Sequence, residues 1–244
     1  MVHGKKVRYK NPKAVIEEVK QLKTNHGITN FYFLADSPFS DKRQITGFLK
    51  SLIAADLGIS WMSNARLDTI DEETGSLLRQ SGCWLLAVGI ESGLDHVRNA
   101  TDKNLKLEDI KKGLSILRKN KVKTLGFYML GIVNESKESV NSTIELALQL
   151  DSEFANFYPA VPYPGTEFFS YCMKNGYLTS QDFSRYDYSD FVIDYGNGVN
   201  RNFIMAKKKE AYLRFYLRPK KLLELAAMMP IGSLLSCGIR ITRR

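Results

Sequence analysis

The fold is decided by the stretch DEETGSLLRQSGCWLLAVGIESG, residues 71–93. Its first half has the apolar spacing of a short amphipathic helix, and a Ser-Gly pair ends that helix. CWLLAVGI follows as a nearly continuous apolar run, which is typical of a strand buried on both faces. The stretch therefore predicts one helix–strand unit of a parallel sheet, with Glu91 and Ser92 where the strand ends.

The same unit recurs on both sides of this stretch. An opening helix is predicted to follow Asn11-Pro12, with proline at the first helical position, and to end near Gly27. Strands are predicted to begin near residues 30, 59, 83, 122 and 153, with amphipathic helices between them. Units of roughly 25 to 40 residues of this kind are typical of parallel α/β architecture, so we expect a barrel or a doubly wound sheet.

The repeat stops in the last third of the chain. Residues 177–200 are rich in Tyr, Asp and Gly, and a last helix with a basic face is predicted at about 206–229. We therefore predict two regions, a β/α domain over residues 1–176 and a mostly helical C-terminal extension over residues 177–244.

The segment LLELAAMMPIGSLLSCGI, residues 222–239, is apolar apart from Glu224. Pro230 and Gly232 interrupt it, so a membrane-spanning helix is not expected. Packing of this segment on the barrel is favoured, and contact with a partner or a membrane surface is the alternative.

The net charge of +9 sits at the ends of the chain. Residues 1–23 carry +5 and residues 201–244 carry +9, which leaves −5 for the segment between them. A nucleic-acid-binding domain usually carries its positive charge on the folded recognition surface, so no nucleic-acid partner is expected. The basic side chains around Lys207–Lys209 are predicted to form a solvated helix face, with weak binding to an anionic membrane surface as the alternative.

The cysteines exclude two classes of site. Cys83, Cys172 and Cys237 lie far apart and form no CxxC spacing, which excludes a disulfide scaffold and a local metal site. Cys83 comes at the start of a predicted strand and is expected to be buried and inert. The opening MVHGKKVRYK has no apolar leader segment, so a cytoplasmic protein is expected.

Polar residues follow every predicted strand. Because parallel β/α folds build their sites where strands end, these positions are the candidate site. They are Asp36 with Ser37, Asn64 with Arg66, Glu91 with Ser92, Gly131 with Asn134, and the loop 161–166.

Each candidate has an alternative that needs no ligand. Asp36 before Ser37-Pro38 could start a turn, Arg66 could pair locally with Asp68, and Gly131 could serve only a strand-to-helix turn. Glu91 is more readily explained as a carboxylate that faces the mouth of the barrel.

An ordered set of motifs resembles the radical SAM superfamily, specifically the group that often carries an N-terminal cobalamin-binding domain. The motifs are FLADSPF (33–39), NARLD (64–68), VGIESG (88–93), MLGIVNES (129–136), YPAVPYPGT (158–166) and FYLRP (215–219). The resemblance implies a partial (β/α) barrel of the TIM type that uses S-adenosylmethionine (SAM) and a 4Fe-4S cluster, with cobalamin as a further cofactor of that group. In this family the reduced cluster gives an electron to SAM, and the resulting 5′-deoxyadenosyl radical abstracts a hydrogen atom from the substrate. The substrate of this chain is an unknown small molecule, with methylation or rearrangement of a lipid-like or tetrapyrrole-like molecule as the expectation.

The resemblance also implies roles for residues that match its motifs. Asp36 corresponds to a residue that helps to hold the methionine moiety of SAM, and Arg66 corresponds to an arginine near its carboxylate. Glu91 corresponds to the polar residue that contacts the ribose or the methionyl amine, with Ser92 beside it. Gly131 corresponds to the glycine under the adenine.

The sequence departs from the family at the cluster. The family binds its 4Fe-4S cluster on CxxxCxxC, which this chain lacks, and the first β/α unit of the barrel is not recognisable. Three explanations are open: a truncated or mis-started gene product, the C-terminal part of a split enzyme that needs a preceding segment or partner chain, and a decayed relative with a binding role. Truncation is favoured, and with it a chain that is inactive alone.

Two further functions compete with a radical SAM enzyme. The first is a non-catalytic binding protein that recruits a partner or a membrane surface through its basic ends. The second, much weaker, is a barrel hydrolase in which Asp36 and Glu91 act as acid and base.

Overall fold

The computed structural model of the protein describes residues 8–35, 38–99, 105–133 and 135–228. Over these ranges the helices are α1 (Pro12–His26), α2 (Lys42–Ala55), α3 (Glu72–Gln80), α4 (Asp95–Asn99), α5 (Leu107–Lys119), α6 (Lys137–Leu150), α7 (Glu167–Lys174), α8 (Arg201–Tyr216) and α9 (Pro219–Met228). The strands are β1 (Asn30–Phe33), β2 (Ser60–Ala65), β3 (Cys83–Glu91), β4 (Lys123–Leu130) and β5 (Phe154–Pro159). Each of the five predicted strand starts is confirmed to within one residue.

Local sequence signals explain where the first helix begins and ends. The side chain of Asn11 accepts a hydrogen bond from the Lys13 N–H at 2.9 Å, and Pro12 occupies the first helical position. Gly27 ends the helix in the left-handed conformation, with φ at 67°. The predicted opening helix is confirmed at both ends.

The described strands form one parallel sheet in the order β1-β2-β3-β4-β5. A doubly wound sheet reverses its strand order at a switch point. Because each strand here pairs with the next along the chain, the sheet is wound in one direction, as in a (β/α) barrel. Of the two predicted architectures, the structure has the partial barrel.

The two faces of the sheet differ in burial. The convex face packs against the helices through side chains that are at most 1% exposed: Trp61, Leu86, Val88, Tyr128 and Phe157. On the concave face, alternate residues of β2, β4 and β5 are only half-buried. The concave face is therefore the surface of the sheet on which a ligand could lie.

The C-terminal extension packs on the same core as the sheet. Phe191, Ile204 and Phe215 belong to the hydrophobic cluster that contains the convex face. The Tyr216 hydroxyl accepts a hydrogen bond from the Ala155 N–H at 2.9 Å and donates to the Ala155 carbonyl at 2.8 Å. Helix α8 thereby satisfies backbone groups on the outer side of β5 that would otherwise be unpaired. The boundary at residues 176–177 stays a prediction.

The single C-terminal helix predicted at about 206–229 is wrong. Helix α8 begins at Arg201, where the Asn200 side chain accepts from the Phe203 N–H at 3.1 Å, and a second helix begins at Pro219. Proline has no N–H to donate and its ring clashes with the preceding turn, so the chain starts a new helix there. The part of the 222–239 segment beyond Met228 lies outside the described residues.

Helix α9 is anchored by charge. Asp151 accepts from Arg218 at 2.9 Å and from Lys220 at 2.5 Å. Lys221 is 1% exposed and donates to the Ser152 carbonyl at 2.9 Å and to Glu224 at 2.6 Å. These basic residues hold the extension to the turn before β5, in addition to any role they have at the surface.

None of the helices in the described ranges is long and apolar enough to cross a bilayer.

Candidate active site at the carboxyl ends of the strands

A cavity of about 230 Å³ opens at the carboxyl ends of β2, β3 and β4. It brings together three of the predicted site residues, Asn64, Arg66 and Glu91. The other lining residues are Pro38, Phe39, Ser40, Ala65, Thr69, Ala87, Gly89, Leu105 and Phe127. The cavity thus combines a carboxylate, a guanidinium, an amide and hydroxyl groups with small side chains on the strands, a composition suited to a polar organic cofactor.

Arg66 and Asn64 are held in place by hydrogen bonds. The Arg66 guanidinium pairs with both oxygens of Asp68, at 3.1 Å from Nε and 2.7 Å from Nη2. The Tyr32 hydroxyl donates to Asn64 Oδ1 at 2.7 Å. The predicted local ion pair of Arg66 with Asp68 is present, and Arg66 lines the cavity as well.

Glu91 has a strained backbone and a buried side chain. Its φ is 67°, a left-handed conformation that non-glycine residues rarely adopt, and the residue is 7% exposed. The Ser92 N–H donates across it to the Ile90 carbonyl at 3.0 Å, which closes a tight turn. The register of β3 with β4 shifts between Gly89 and Glu91. Strain of this kind costs roughly 1–3 kcal/mol and collects at functional sites.

The residues after Glu91 fasten this turn to helix α6. Ser92 is fully buried and its hydroxyl lies 3.3 Å from that of Thr143, which also accepts from the Gly93 N–H at 2.9 Å. A Cβ on Gly93 would lie 2.4 Å from the Ser142 carbonyl oxygen, so only glycine permits this contact. Ser92 therefore contacts α6 and is not among the residues that line the cavity; its cofactor contact stays a prediction.

Arg98 holds the same turn from the other side. It is fully buried, and it donates from Nη1 to the Ser92 carbonyl at 2.6 Å and from Nε to the Leu105 carbonyl at 3.0 Å. It also pairs with Asp95. Arginine is rarely buried unless it is paired. The local sequence HVRN does not show the partners of Arg98, so its burial could not be predicted from the sequence.

Gly131 lies against the C-terminal extension. Its φ is 83°, and a Cβ there would lie 2.5 Å from the ring of Phe191. Its carbonyl accepts from the Tyr195 hydroxyl at 3.0 Å. Both the backbone conformation and the packing against Phe191 therefore require glycine at position 131. Gly131 is not among the residues that line the cavity. A contact of this glycine with adenine stays a prediction.

Glu135 is a buried carboxylate that the sequence analysis did not single out. One of its oxygens accepts from the N–H groups of Gly131 at 2.6 Å and Ile132 at 3.0 Å, and the other accepts from the Ser139 hydroxyl at 3.0 Å. Burial raises its pKa to about 7, although these hydrogen bonds act in the opposite direction. Glu135 ties the loop after β4 to the first turn of α6.

Three predicted site residues and one cysteine lie outside the described residues: Asp36, Ser37, Asn134 and Cys237. Among the residues that are described, no group of three or more His, Cys, Asp or Glu side chains could hold a metal ion. Cys83 and Cys172 are buried, and burial raises their pKa values to about 12 and about 11. Cys83 is therefore an unreactive thiol in the core, as its position predicted.

A larger depression of about 480 Å³ lies between α3 and α5. It is lined by Asp71, Glu72, Glu73, Lys112, Ser115 and Ile116. Glu72 and Glu73 are more than 40% exposed and form surface ion pairs, so nothing in this depression is held ready for a ligand. The smaller cavity at the strand ends is the candidate site.

Comparison with known proteins identifies relatives of this barrel. The sequence profile described as the radical SAM superfamily matches residues 2–147. An uncharacterized methyltransferase of Pyrococcus horikoshii is 29% identical over 221 residues, which cover 91% of this chain and 48% of the relative. The anaerobic magnesium-protoporphyrin IX monomethyl ester cyclase of Rubrivivax gelatinosus is 25% identical over 213 residues, which cover 86% of this chain and 38% of that enzyme.

Among solved structures, the fold is similar to the radical S-adenosylmethionine methyltransferase TsrM from Kitasatospora setae, a structure with cobalamin and a 4Fe-4S cluster bound. The TM-score is 0.56 at 17% identity, over 63% of this chain and 30% of TsrM. The chain spans less than half the length of each of these proteins.

Proposed function

The chain belongs to the radical SAM superfamily, and we propose that it is the SAM-binding part of a radical SAM enzyme whose cluster ligands lie outside these 244 residues. The observation that carries the proposal is the cavity at the strand ends, where a buried carboxylate in a strained turn, Glu91, meets Arg66 and Asn64.

The side chains at this cavity suit SAM. A carboxylate can accept hydrogen bonds from a ribose diol or from the methionyl ammonium, and a guanidinium can bind a carboxylate through two parallel hydrogen bonds. Glu91 and Arg66 would hold these groups, and Asn64, oriented by Tyr32, would supply a further polar contact. When SAM is bound beside a reduced cluster, it supplies the one-electron chemistry of the superfamily. The part of this chain is to bind and orient the cofactor.

The cysteines of this chain do not suit a 4Fe-4S cluster. Such a cluster needs thiolates, and Cys83 and Cys172 are buried thiols whose pKa values are raised. With Cys237, the chain has three cysteines without a CxxxCxxC spacing. We therefore propose that the cluster is supplied by another segment or another chain, and that this chain alone does not cleave SAM.

Methyl transfer or ring formation on an organic substrate is the proposed reaction class. The support is that the two curated relatives described above are named as a methyltransferase and a cyclase. Cobalamin is proposed as a further cofactor because the TsrM structure contains it.

The experiment that tests the proposal separates SAM binding from cluster binding. SAM is titrated calorimetrically into the purified chain, and the same preparation is taken through anaerobic iron–sulfur reconstitution with an iron count. We expect SAM binding without a stoichiometric cluster. Failure to bind SAM would overturn the site, and a full cluster would overturn the proposal that its ligands lie elsewhere.

Two substitutions locate the binding site. Glu91→Gly removes the carboxylate and replaces it with the residue that adopts φ of 67° most easily, so the fold is retained. We expect at least tenfold weaker SAM binding, because one charge-assisted contact is worth about 1.5–3 kcal/mol. The control for the loss of one carboxylate charge is Glu17→Gln, at an exposed position on α1. Equal losses in both variants would refute the assignment of Glu91.

A further inference from the structure

The concave face carries a row of aromatic side chains that starts at the candidate cavity. Phe127 of β4 lines the cavity, and its ring centre lies 5.8 Å from that of Tyr158 on β5. Tyr158 lies in turn 4.6 Å from Tyr188 of the C-terminal extension. Tyr188 is 48% exposed, and Tyr163 beside it is 42% exposed. We call these four residues the aromatic shelf.

The aromatic shelf is fixed before any ligand arrives. Asn156 donates to the Tyr158 hydroxyl at 3.0 Å, and Lys208 donates to the Tyr188 carbonyl at 2.6 Å. The chain after Tyr188 is locked because Asp190 accepts from Arg185 at 2.7 Å and from Arg201 at 2.6 Å. A surface held in this way loses little conformational freedom when a ligand binds.

The geometry of the shelf favours one class of ligand. The rings of Phe127 and Tyr158 are inclined by 46°, and so are those of Tyr158 and Tyr188. A flat ring system that lies on such a row of inclined rings can adopt the offset-stacked or edge-to-face arrangements that aromatic pairs prefer. An aliphatic chain would bury apolar area here but would gain nothing from these orientations.

We propose that the aromatic shelf is the substrate site and that it binds a flat, conjugated ring system, with one edge of the ring over the cavity that Phe127 shares with Glu91. The proposal rests on the proposed function, since it places the substrate next to the bound SAM. It assigns Tyr158 and Tyr188 as binding residues, through their rings and not their hydroxyls. The polar edge of the ligand faces solvent along Tyr163.

The test uses the full chain with protoporphyrin IX as the flat probe and hexadecanedioic acid as a flexible dicarboxylic acid of comparable charge. Binding of the porphyrin is followed by its absorbance, and the aliphatic acid is added as a competitor. We expect the porphyrin to bind and the aliphatic acid to compete poorly. Equal competition by the aliphatic acid would overturn the proposal, because a general apolar surface would then suffice.

Substitutions of the shelf complete the test. Tyr188→Leu keeps apolar area but removes the ring, and we expect porphyrin binding to weaken by about three- to tenfold, the equivalent of one aromatic contact. Tyr188→Phe should bind as the wild type does. The control is Trp84→Leu, which removes a 38% exposed aromatic ring at the amino end of β3. An unchanged affinity of Tyr188→Leu would refute the shelf.

SAM binding measured on the same preparations separates the two proposals. A Tyr188→Leu variant that binds SAM normally but binds the porphyrin weakly supports the shelf. If the aliphatic acid competes as well as the porphyrin while the chain still binds SAM, the aromatic shelf is refuted as a substrate site and the proposed function is not. A wild-type chain that binds the porphyrin but not SAM overturns the proposed function.

Discussion

Replacement of Glu135 by glutamine should make the protein more stable at high pH. The pKa of this carboxyl group is raised from its ordinary value of 4.5 to about 7, because burial penalises the charged form. The folded state therefore binds more protons than the unfolded state between these two pH values. A difference of this size corresponds to roughly 3 kcal/mol of unfolding free energy, which is fully present below about pH 4.5 and is lost as the pH rises through about 7.

Glutamine fits the site without loss of hydrogen bonds. The N–H groups of Gly131 and Ile132 donate to the same carboxylate oxygen, which the amide oxygen can replace. The other oxygen accepts from Ser139, whose hydroxyl is also 3.2 Å from the Ser136 carbonyl. In the variant the amide can donate to Ser139 while Ser139 donates to Ser136. The buried Ser92 hydroxyl, which also interacts with Glu135, keeps Thr143 as a partner.

The assay is urea unfolding from pH 5 to pH 8, followed by tryptophan fluorescence, to which the buried Trp61 and the partly exposed Trp84 contribute. The unfolding free energy of the Glu135→Gln variant should rise above that of the wild type by about 2–3 kcal/mol over this range. The control is Glu138→Gln, an exposed carboxyl group one turn away whose pKa is lowered by hydrogen bonds at the start of α6. If the unfolding free energies of the wild type and of Glu135→Gln changed with pH in the same way, the raised pKa of Glu135 would be refuted.

Two further predictions concern the packing of the sheet. Gly93→Ala places a Cβ 2.4 Å from the Ser142 carbonyl oxygen, and it should lower the unfolding free energy in the same assay by about 1–3 kcal/mol or more. The control is Gly47→Ala, in open space on α2, which should be neutral or slightly stabilising. Tyr216→Phe removes the hydrogen-bond partner of the Ala155 N–H and carbonyl on the outer side of β5. It should lower the unfolding free energy by about 1–3 kcal/mol and increase aggregation measured by light scattering. Unchanged solubility and stability would argue against a role of Tyr216 in covering the edge of the sheet.

The strands could be predicted because each is specified locally. Runs such as CWLLAVGI are too apolar to lie anywhere but in a core, and the polar residue that follows each run marks the strand end. Local signals alone do not distinguish a barrel from a doubly wound sheet, and it was the resemblance to the radical SAM superfamily that implied the partial barrel, which the structure confirms. Pro219 carries a local signal that ends a helix, and the single helix predicted at 206–229 was wrong because it ran through this proline.

The candidate site was only partly predictable. Arg66 and Glu91 were found because they follow strands whose carboxyl ends meet at one edge of the sheet. Glu135 and Arg98 were missed because their burial depends on segments that lie against them only in the folded chain. The aromatic shelf depends on Tyr188, a residue of an irregular segment whose position no periodicity specifies.

The two ends of the sheet are built for different purposes. At the amino end of β5, Asp151 and the buried Lys221 form ion pairs that hold the last helix, a contact that contributes stability. At the carboxyl end, the fold places a strained Glu91 and a buried Glu135 whose charged form is disfavoured, and both of these lower stability at neutral pH. For stability alone, glycine would be the better residue at position 91 and glutamine at position 135. Residues that cost stability in this way are expected where they serve a ligand. Left-handed φ values also occur at Asp56, Lys121 and Asp151, in the turns before β2, β4 and β5, so strain by itself does not mark a site. The strained Glu91 supports a ligand site at the carboxyl ends of the strands because it also lines the cavity there.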